Sequence, residues 1–224
     1  MLISILTLFP EMFQGPFEHS IIKHAQQKQL VEIEFVNIRD FGIGKHRTVD
    51  DTPYGGGVGM VMRVDVLHAA IKQTISRHNL VKRKIILTSA KGETYTQAKA
   101  RSFSQLDHLI IICGHYEGVD ERILKFVDEE ISIGNYVLTG GEIPAMVISD
   151  SVTRLLEGVL KPDATANESF SFKNSDSLLE YPHYTRPEIY ENLTVPNVLL
   201  SGNHKEIETW RSEQSLLTPI LKRG

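Results

Sequence analysis

Five short apolar runs, at residues 2–8, 31–36, 84–87, 109–113 and 127–133, are each bounded by polar or turn-forming residues, and their length and composition predict β-strands. Between them, apolar positions recur at helical spacing. Residues 16–29 carry that pattern, residues 64–77 repeat Val66, Leu67, Ala70, Ile71 and Ile75, and residues 94–103 follow it more weakly. Strands alternating with helices predict an α/β fold with a mostly parallel sheet and helices on both faces. A helix is expected over 142–158, with Pro144 in its first turn and Gly158 at its end. After Leu160 the pattern lapses: residues 161–177 are mainly polar, small or charged, the signature of a flexible linker. Residues 204–222 are helical again, with Asn203 and Glu206 spaced as a capping box and Ile207, Trp210 and Leu216 available for packing. The expected domains are therefore 1–160, α/β; 161–177, linker; and 178–224, small and helical.

Composition narrows the class. A chain of 224 residues with 41% hydrophobic content can bury a substantial core. It has no apolar run long enough to span a bilayer, and residues 1–9 lack the basic flank and cleavage site of a signal peptide, so a soluble cytoplasmic protein without a membrane partner is expected. A formal charge of −4 excludes coating nucleic acid by bulk positive charge, and DNA is not an expected partner. Local basic groups remain at Lys45, His46 and Arg47 and at Lys82, Arg83 and Lys84, the second reading as solvated surface. The single cysteine, Cys113, can form neither an internal disulfide nor a thiolate zinc site, and at the end of an apolar strand it is expected to act as a small hydrophobe.

The candidate chemistry lies in two glycine strings. In ISIGNYVLTGGE, at 131–142, Gly134, Gly140 and Gly141 surround a short apolar run; Gly114 and Gly118 bracket GHYEG after the preceding strand. These glycines either form turns only, or leave main-chain groups open to a ligand held largely by backbone. In the second reading Ile133, Tyr136, Val137 and Leu138 offer apolar surface to a flat base such as adenosine, and Glu117 either meets a ligand ammonium or is simply solvated. Other classes fail on spacing. Neither Gly42 and Gly44 nor Gly55, Gly57 and Gly59 make a dinucleotide fingerprint, Gly44-Lys45 is followed by His46 rather than Ser or Thr, and no G-x-S-x-G is present.

Taken in order, LTLFPEMF at 6–13, HRTVDDTPYGGG at 46–57, CGHYEGVDER at 113–122, SIGNYVLTGGEIPAM at 132–146, SVTRLLEGVL at 151–160, YPHYTRPE at 181–188 and VLLSGNH at 198–204 resemble the bacterial tRNA (guanine-N1)-methyltransferases of the knotted SPOUT superfamily. The resemblance covers nearly the whole chain. It implies a homodimer, a C-terminal trefoil knot in the sheet, and tRNA lying across both subunits as the partner. The implied donor is S-adenosyl-L-methionine, converted to S-adenosyl-L-homocysteine, and the target is N1 of the guanosine at tRNA position 37, immediately 3′ of the anticodon.

By the same resemblance three loops hold the donor: Leu87, Thr88 and Ser89 in the first, Gly114, Tyr116 and Glu117 in the second. The third supplies Ile133, Gly134, Asn135, Tyr136, Val137 and Leu138, followed by Gly140 and Gly141. Methylating N1 requires removing its proton, which shifts charge towards O6, so a carboxylate base and a cationic partner are expected. Arg154 matches the family arginine that stabilises this charge, and Glu168 in ANESF falls where most of the family has the aspartate proposed as base. Glu168 is preferred over Asp163 and Asp176, and its alternative is a plain linker charge. This chemistry needs no metal, although the family has been linked to magnesium (Mg2+). His46, Arg47, Tyr54 and Gly59 match the segment that walls the guanine pocket, with Tyr54 available for stacking. Two departures are Val58 and Ala90, each standing where the family commonly has proline. His183, Tyr184 and Arg186 are expected to order the link between the domains or touch RNA, the structural role being preferred. Alternatives are a related SPOUT enzyme with another RNA target and a non-catalytic RNA-binding relative.

Overall fold

Alternation of side chains along completely buried strands divides the core of the first part of the chain into two layers. The computed structural model describes residues 1–161, 164–165, 168–171 and 179–217, which fall into two compact units, Met1–Leu160 and Lys161–Gly224. In chain order the first unit contains β1 (Leu2–Thr7), α1 (Ser20–Gln27), β2 (Glu32–Asn37), β3 (Asp50–Asp51), β4 (Val61–Met62), α2 (Val64–His78), β5 (Arg83–Thr94), α3 (Gln97–Phe103), β6 (His108–Cys113), β7 (Glu129–Ser132) and α4 (Glu142–Thr153). Five of the strands form one sheet in the order β2-β1-β6-β5-β7, and every neighbouring pair is parallel.

The central strands β1 and β6 are buried on both faces, which is why they read as continuous apolar runs rather than alternating ones. On one face Ile3, Ile5, Ile111 and Cys113 pack against Ile22 of α1, Phe103 of α3, and Ile148 and Val152 of α4. On the other, Leu6, Leu87, Ile110 and Ile112 pack against Val66, Leu67 and Ile71 of α2. Helices therefore cover both faces, as expected. Because all five strands run the same way, the loops that follow β5, β6 and β7 emerge side by side at one edge, where open α/β sheets place ligands.

Strand β5 exceeds its predicted length. It runs to Thr94, and both Thr88 and Glu93 pair with Ile131, so residues 89–92 bulge out of register. Gly92 permits this: a Cβ there would lie 2.4 Å from the backbone nitrogen of Ile131. Helix α4, by contrast, ends at Thr153, short of the expected Gly158. There Leu155 and Leu156 donate to the carbonyls of Val152 and Thr153, i→i+3 bonds that tighten the chain out of the α-helix.

The second unit contains β8 (Ile189–Tyr190), β9 (Leu193–Thr194), α5 (Asn197–Leu200) and α6 (His204–Leu217). It is therefore not wholly helical. β8 and β9 form an antiparallel hairpin whose connecting residues, Glu191 and Asn192, both have positive φ (46° and 68°), as a tight hairpin turn demands. Asn203 accepts from the Glu206 backbone N–H at 3.5 Å at the start of α6. The Tyr181 ring receives the Arg211 guanidinium at 4.7 Å, Tyr184 sits 6.3 Å from Trp210, and His183 meets Glu180 at 2.9 Å. All of these contacts lie within the second unit. Leu216, expected to pack, is 71% exposed. Most of the expected linker, with Asp163 and Asp176, lies outside the described residues.

Candidate functional site

A cavity of about 240 Å³ opens where the loops after β5, β6 and β7 meet. Leu87, Thr88 and Ser89 line it from the first loop, Gly114, Tyr116 and Glu117 from the second. Ile133, Gly134, Tyr136, Val137, Leu138, Gly140 and Gly141 line it from the third. Of the residues expected to hold a cofactor, Asn135 alone is not on its wall. Sequence reasoning missed His115, Ser132, Thr139 and Pro144, which line it as well. In the sequence His115 and Thr139 adjoin a glycine, and Ser132 and Pro144 lie two and three residues from one.

The glycines have specific steric reasons. A Cβ on Gly141 would lie 2.1 Å from Thr88 Oγ1 and 2.7 Å from both the Cys113 Cα and the Gly114 nitrogen. The third loop therefore rests directly on the ends of β5 and β6. Gly141 N–H donates to the Gly114 carbonyl at 2.8 Å, and His115 and Gly140 form an antiparallel bridge. Gly134 has φ +153°, and a Cβ there would meet the Tyr136 ring at 2.5 Å; Tyr136 folds back over its own loop and donates to the Ile133 carbonyl. These are close approaches that a side chain would prevent, which adds to the turn reading rather than replacing it.

Beneath the floor lies a polar group. Glu142, the first residue of α4, is 1% exposed, and its Oε1 accepts from the Thr7 hydroxyl at 2.8 Å. Its Oε2 has no hydrogen-bond partner, nor has the buried Nδ1 of His115, and these two atoms are 3.9 Å apart. A Cβ on Gly140 would fall 2.5 Å from Glu142 Oε2 and 2.6 Å from His115 Nδ1, so glycine keeps the space between them open. The His115 ring is flanked by Phe9 (centroids 4.9 Å) and Tyr116 (5.0 Å). Burial, and then the charge of Glu142, pushes the Cys113 thiol well above its ordinary range. Cys113 is thus the inert small hydrophobe expected at a strand end.

The segment expected to wall a guanine pocket hangs from the β3–β4 hairpin beside the second loop. Glu117 N–H donates to the Met60 carbonyl at 3.1 Å, and Met62 N–H to the Gly118 carbonyl at 2.9 Å. Gly59, at φ +90°, faces the Glu117 side chain so closely that a Cβ would meet it at 2.4 Å. Arg63 anchors the base of the hairpin through Asp51 at 3.0 Å and Asp65 at 2.8 Å. Tyr54 is fully exposed, and Val58 nearly so. His46 is an exposed turn residue, and Arg47 pairs with Asp40 at 2.8 Å. Arg154 caps the C-terminus of α4, half-buried, and is not among the residues that line the cavity. Glu168 belongs to the second unit, in a turn where its carbonyl accepts from Ser171 N–H at 3.0 Å and its Oε1 lies 3.5 Å from Ser171 Oγ. Among the described residues no group of three or more His, Cys, Asp or Glu is arranged to hold a metal ion, and no helix is long and apolar enough to cross a membrane.

The family model described as tRNA (Guanine-1)-methyltransferase TrmD matches residues 1–224. Among similar curated proteins, one from Carboxydothermus hydrogenoformans is 55% identical over 224 residues, covering 100% of this chain and 86% of its own length. Another, from Alkaliphilus metalliredigens, is 53% identical, covering 100% of this chain and 90% of its own length. A third, from Clostridioides difficile, is 50% identical over 95% of this chain and 91% of its own length. All three carry the name tRNA (guanine-N(1)-)-methyltransferase.

Proposed function

The chain belongs to the tRNA (guanine-1)-methyltransferase family, and on that premise we propose that it methylates N1 of guanosine 37 in tRNA, using S-adenosylmethionine held in the cavity after β5, β6 and β7. The observation that carries this reading is the cavity itself: glycines at 134, 140 and 141 clear it by close backbone approach, in a chain matched to the family from end to end. Its chemistry suits the donor. Leu87, Ile133 and Leu138 offer apolar surface to an adenine ring, exposed main-chain groups of the glycine loops offer hydrogen bonds to its edges, and the Glu117 carboxylate suits the ammonium of the amino-acid end. When bound, that group supplies a methyl on a sulfonium, electrophilic enough to need no further activation.

The protein's share is to prepare the acceptor. Glu168 accepts the proton from guanine N1, and the Arg154 guanidinium stabilises the negative charge that moves to O6. Glutamate in place of the family's aspartate keeps the carboxylate and adds a methylene. The hairpin segment bearing Tyr54 supplies a stacking surface for a base, and His46 and Arg47 supply donors for phosphate. Its junction with the second loop at Gly59 and Glu117 puts acceptor-side and donor-side residues in contact.

A homodimer belongs to the same reading. It is supported by the exposed apolar residues Met12, Ile143 and Val147, which an isolated chain leaves in water on neighbouring elements. The family's knot belongs to it too, and the position of β5 between β6 and β7 accommodates one. Magnesium finds no three-ligand cluster among the described residues. A cytoplasmic location follows from the tRNA substrate. The test is transfer of labelled methyl to tRNA transcripts with guanine or adenine at position 37, read with the nucleoside product by mass spectrometry. Methyl on N1 of guanine alone is expected; methyl elsewhere overturns the assignment. Glu168→Gln is expected to abolish transfer with donor binding nearly intact, and unchanged turnover removes Glu168 from the mechanism.

A further inference from the structure

A carboxylate oxygen that is fully buried without a donor costs several kcal/mol in general, and a buried imidazole nitrogen without a partner adds to that. Glu142 Oε2 and His115 Nδ1 carry that cost side by side, 3.9 Å apart. The gap is too long for a hydrogen bond. A movement of His115 by about 1 Å satisfies both atoms at once. The intervening space is the one that Gly140, lacking a Cβ, leaves open. Glu142 cannot easily make the move, being held by Thr7, whose own hydroxyl accepts from Phe9 N–H at 3.0 Å.

We propose that His115 binds the carboxylate of the amino-acid end of the methyl donor, and that Glu142 is the positioning residue that orients it, the Nδ1–Oε2 hydrogen bond closing when the donor enters. His115 lines the cavity, and its Nδ1 faces the floor, which leaves Nε2 for the ligand. An Nδ1–H donated to Glu142 and an Nε2–H donated to the ligand give the ring one hydrogen bond to each carboxylate. The amino-acid end of the donor carries one anion and one cation. The loop after β6 carries one matching group for each, His115 for the carboxylate and Glu117 for the ammonium, two residues apart.

This inference rests on the donor assignment above, and the experiment separates the two. Isothermal titration of the whole protein with S-adenosylhomocysteine and with 5′-methylthioadenosine, which lacks the amino-acid end, compares wild type with Glu142→Gln. The expected result is about tenfold weaker binding of S-adenosylhomocysteine by the variant and, for 5′-methylthioadenosine, a change under about twofold. Equal weakening of both ligands, or none, overturns the proposal. Nitrogen-15 NMR of histidine-labelled wild type gives an answer that does not depend on the variant's folding: His115 Nδ1 is expected to take the shift of a protonated, hydrogen-bonded nitrogen when S-adenosylhomocysteine is added. An Nδ1 resonance that stays put on saturation overturns it. If the wild type binds neither ligand, the donor assignment itself fails, and this inference falls with it.

Discussion

Each end of the central sheet sets a histidine near a glutamate, with one of the two buried, and the two pairs are finished to different degrees. At the end where the strands begin, Ser4 Oγ donates to Glu34 Oε1 at 2.6 Å and accepts from His108 Nε2 at 2.6 Å. Glu34 also meets His78 at 3.0 Å and Arg77 at 3.2 Å. Because Ser4 spends its proton on Glu34, His108 must hold its own on Nε2, and the neutral ring leaves only the acceptor Nδ1 unpartnered. At the opposite end His115 and Glu142 stop short of each other, with an open space kept by glycine. The first cluster contributes to holding the sheet together; the second keeps unmet hydrogen bonds at the wall of a cavity. The same residue types thus serve stability where most of their bonds are closed and recognition where they are left open.

Gly141 is where the contrast between the two ends breaks most sharply. Gly141→Ala drives a Cβ into Thr88 Oγ1 and the backbone of β6, and the overlap is expected to cost about 1–3 kcal/mol of stability. Donor binding is expected to fall by more than about a hundredfold, since the third loop must lift from its seat. Calorimetry and thermal unfolding check the two together, and retained affinity would show that the loop does not need that seat.

Acid tests the opposite end. His108 is fully buried, and burial, then the charges of His78 and Arg83, bring its pKa down to about 4. A depressed pKa means that the folded state resists protonation that the unfolded chain accepts near pH 6.5. Stability is therefore complete above about pH 6.5 and is lost as pH falls towards about 4, by about 3 kcal/mol over the window. Burial raises the Glu34 carboxyl, but its bonds to Ser4 and His78 outweigh that and hold it below its ordinary range, so it adds a loss only at lower pH. Denaturant midpoints at successive pH values are expected to show the slope between about pH 6.5 and about pH 4.5, and His108→Gln is expected to flatten it. An unchanged slope in the variant assigns the acid sensitivity to other groups.

Ser4→Ala is the mildest intervention. It removes the hydroxyl that joins Glu34 to His108 and is expected to cost about 1–3 kcal/mol. Donor affinity is expected to stay at the wild-type value, because the cluster lies at the far end of the strands. A parallel loss of affinity would show that the two ends are coupled through β1 or β6.

Much of this architecture is legible in the amino-acid sequence. The central strands are visible because burial on both faces leaves few polar positions in β1 and β6, and α2 because its apolar stripe repeats over four turns. The far half of β5 is not, since residues 89–92 are polar and bulge, and only β7 makes that stretch a strand. β3, β4, β8 and β9 are two residues each, too short to carry a period. Residues of both glycine strings line the cavity. What they do not disclose is the reason for Gly140, which lies in two side chains it must not obstruct, or that Glu142 is buried, since a glutamate in the first turn of a helix normally sits in solvent beside the dipole.

The strand order has one last effect, on timing. β5 precedes β6 and β7 in the chain yet lies between them, so it must wait for partners on both sides, across long sequence separations that slow folding. A nascent or truncated chain that stops before β7 can assemble β1, β2 and β6 and still have no receptacle for the donor. Because the cavity draws its lining from the loops after β5, β6 and β7, it is complete only when all three strands are in place.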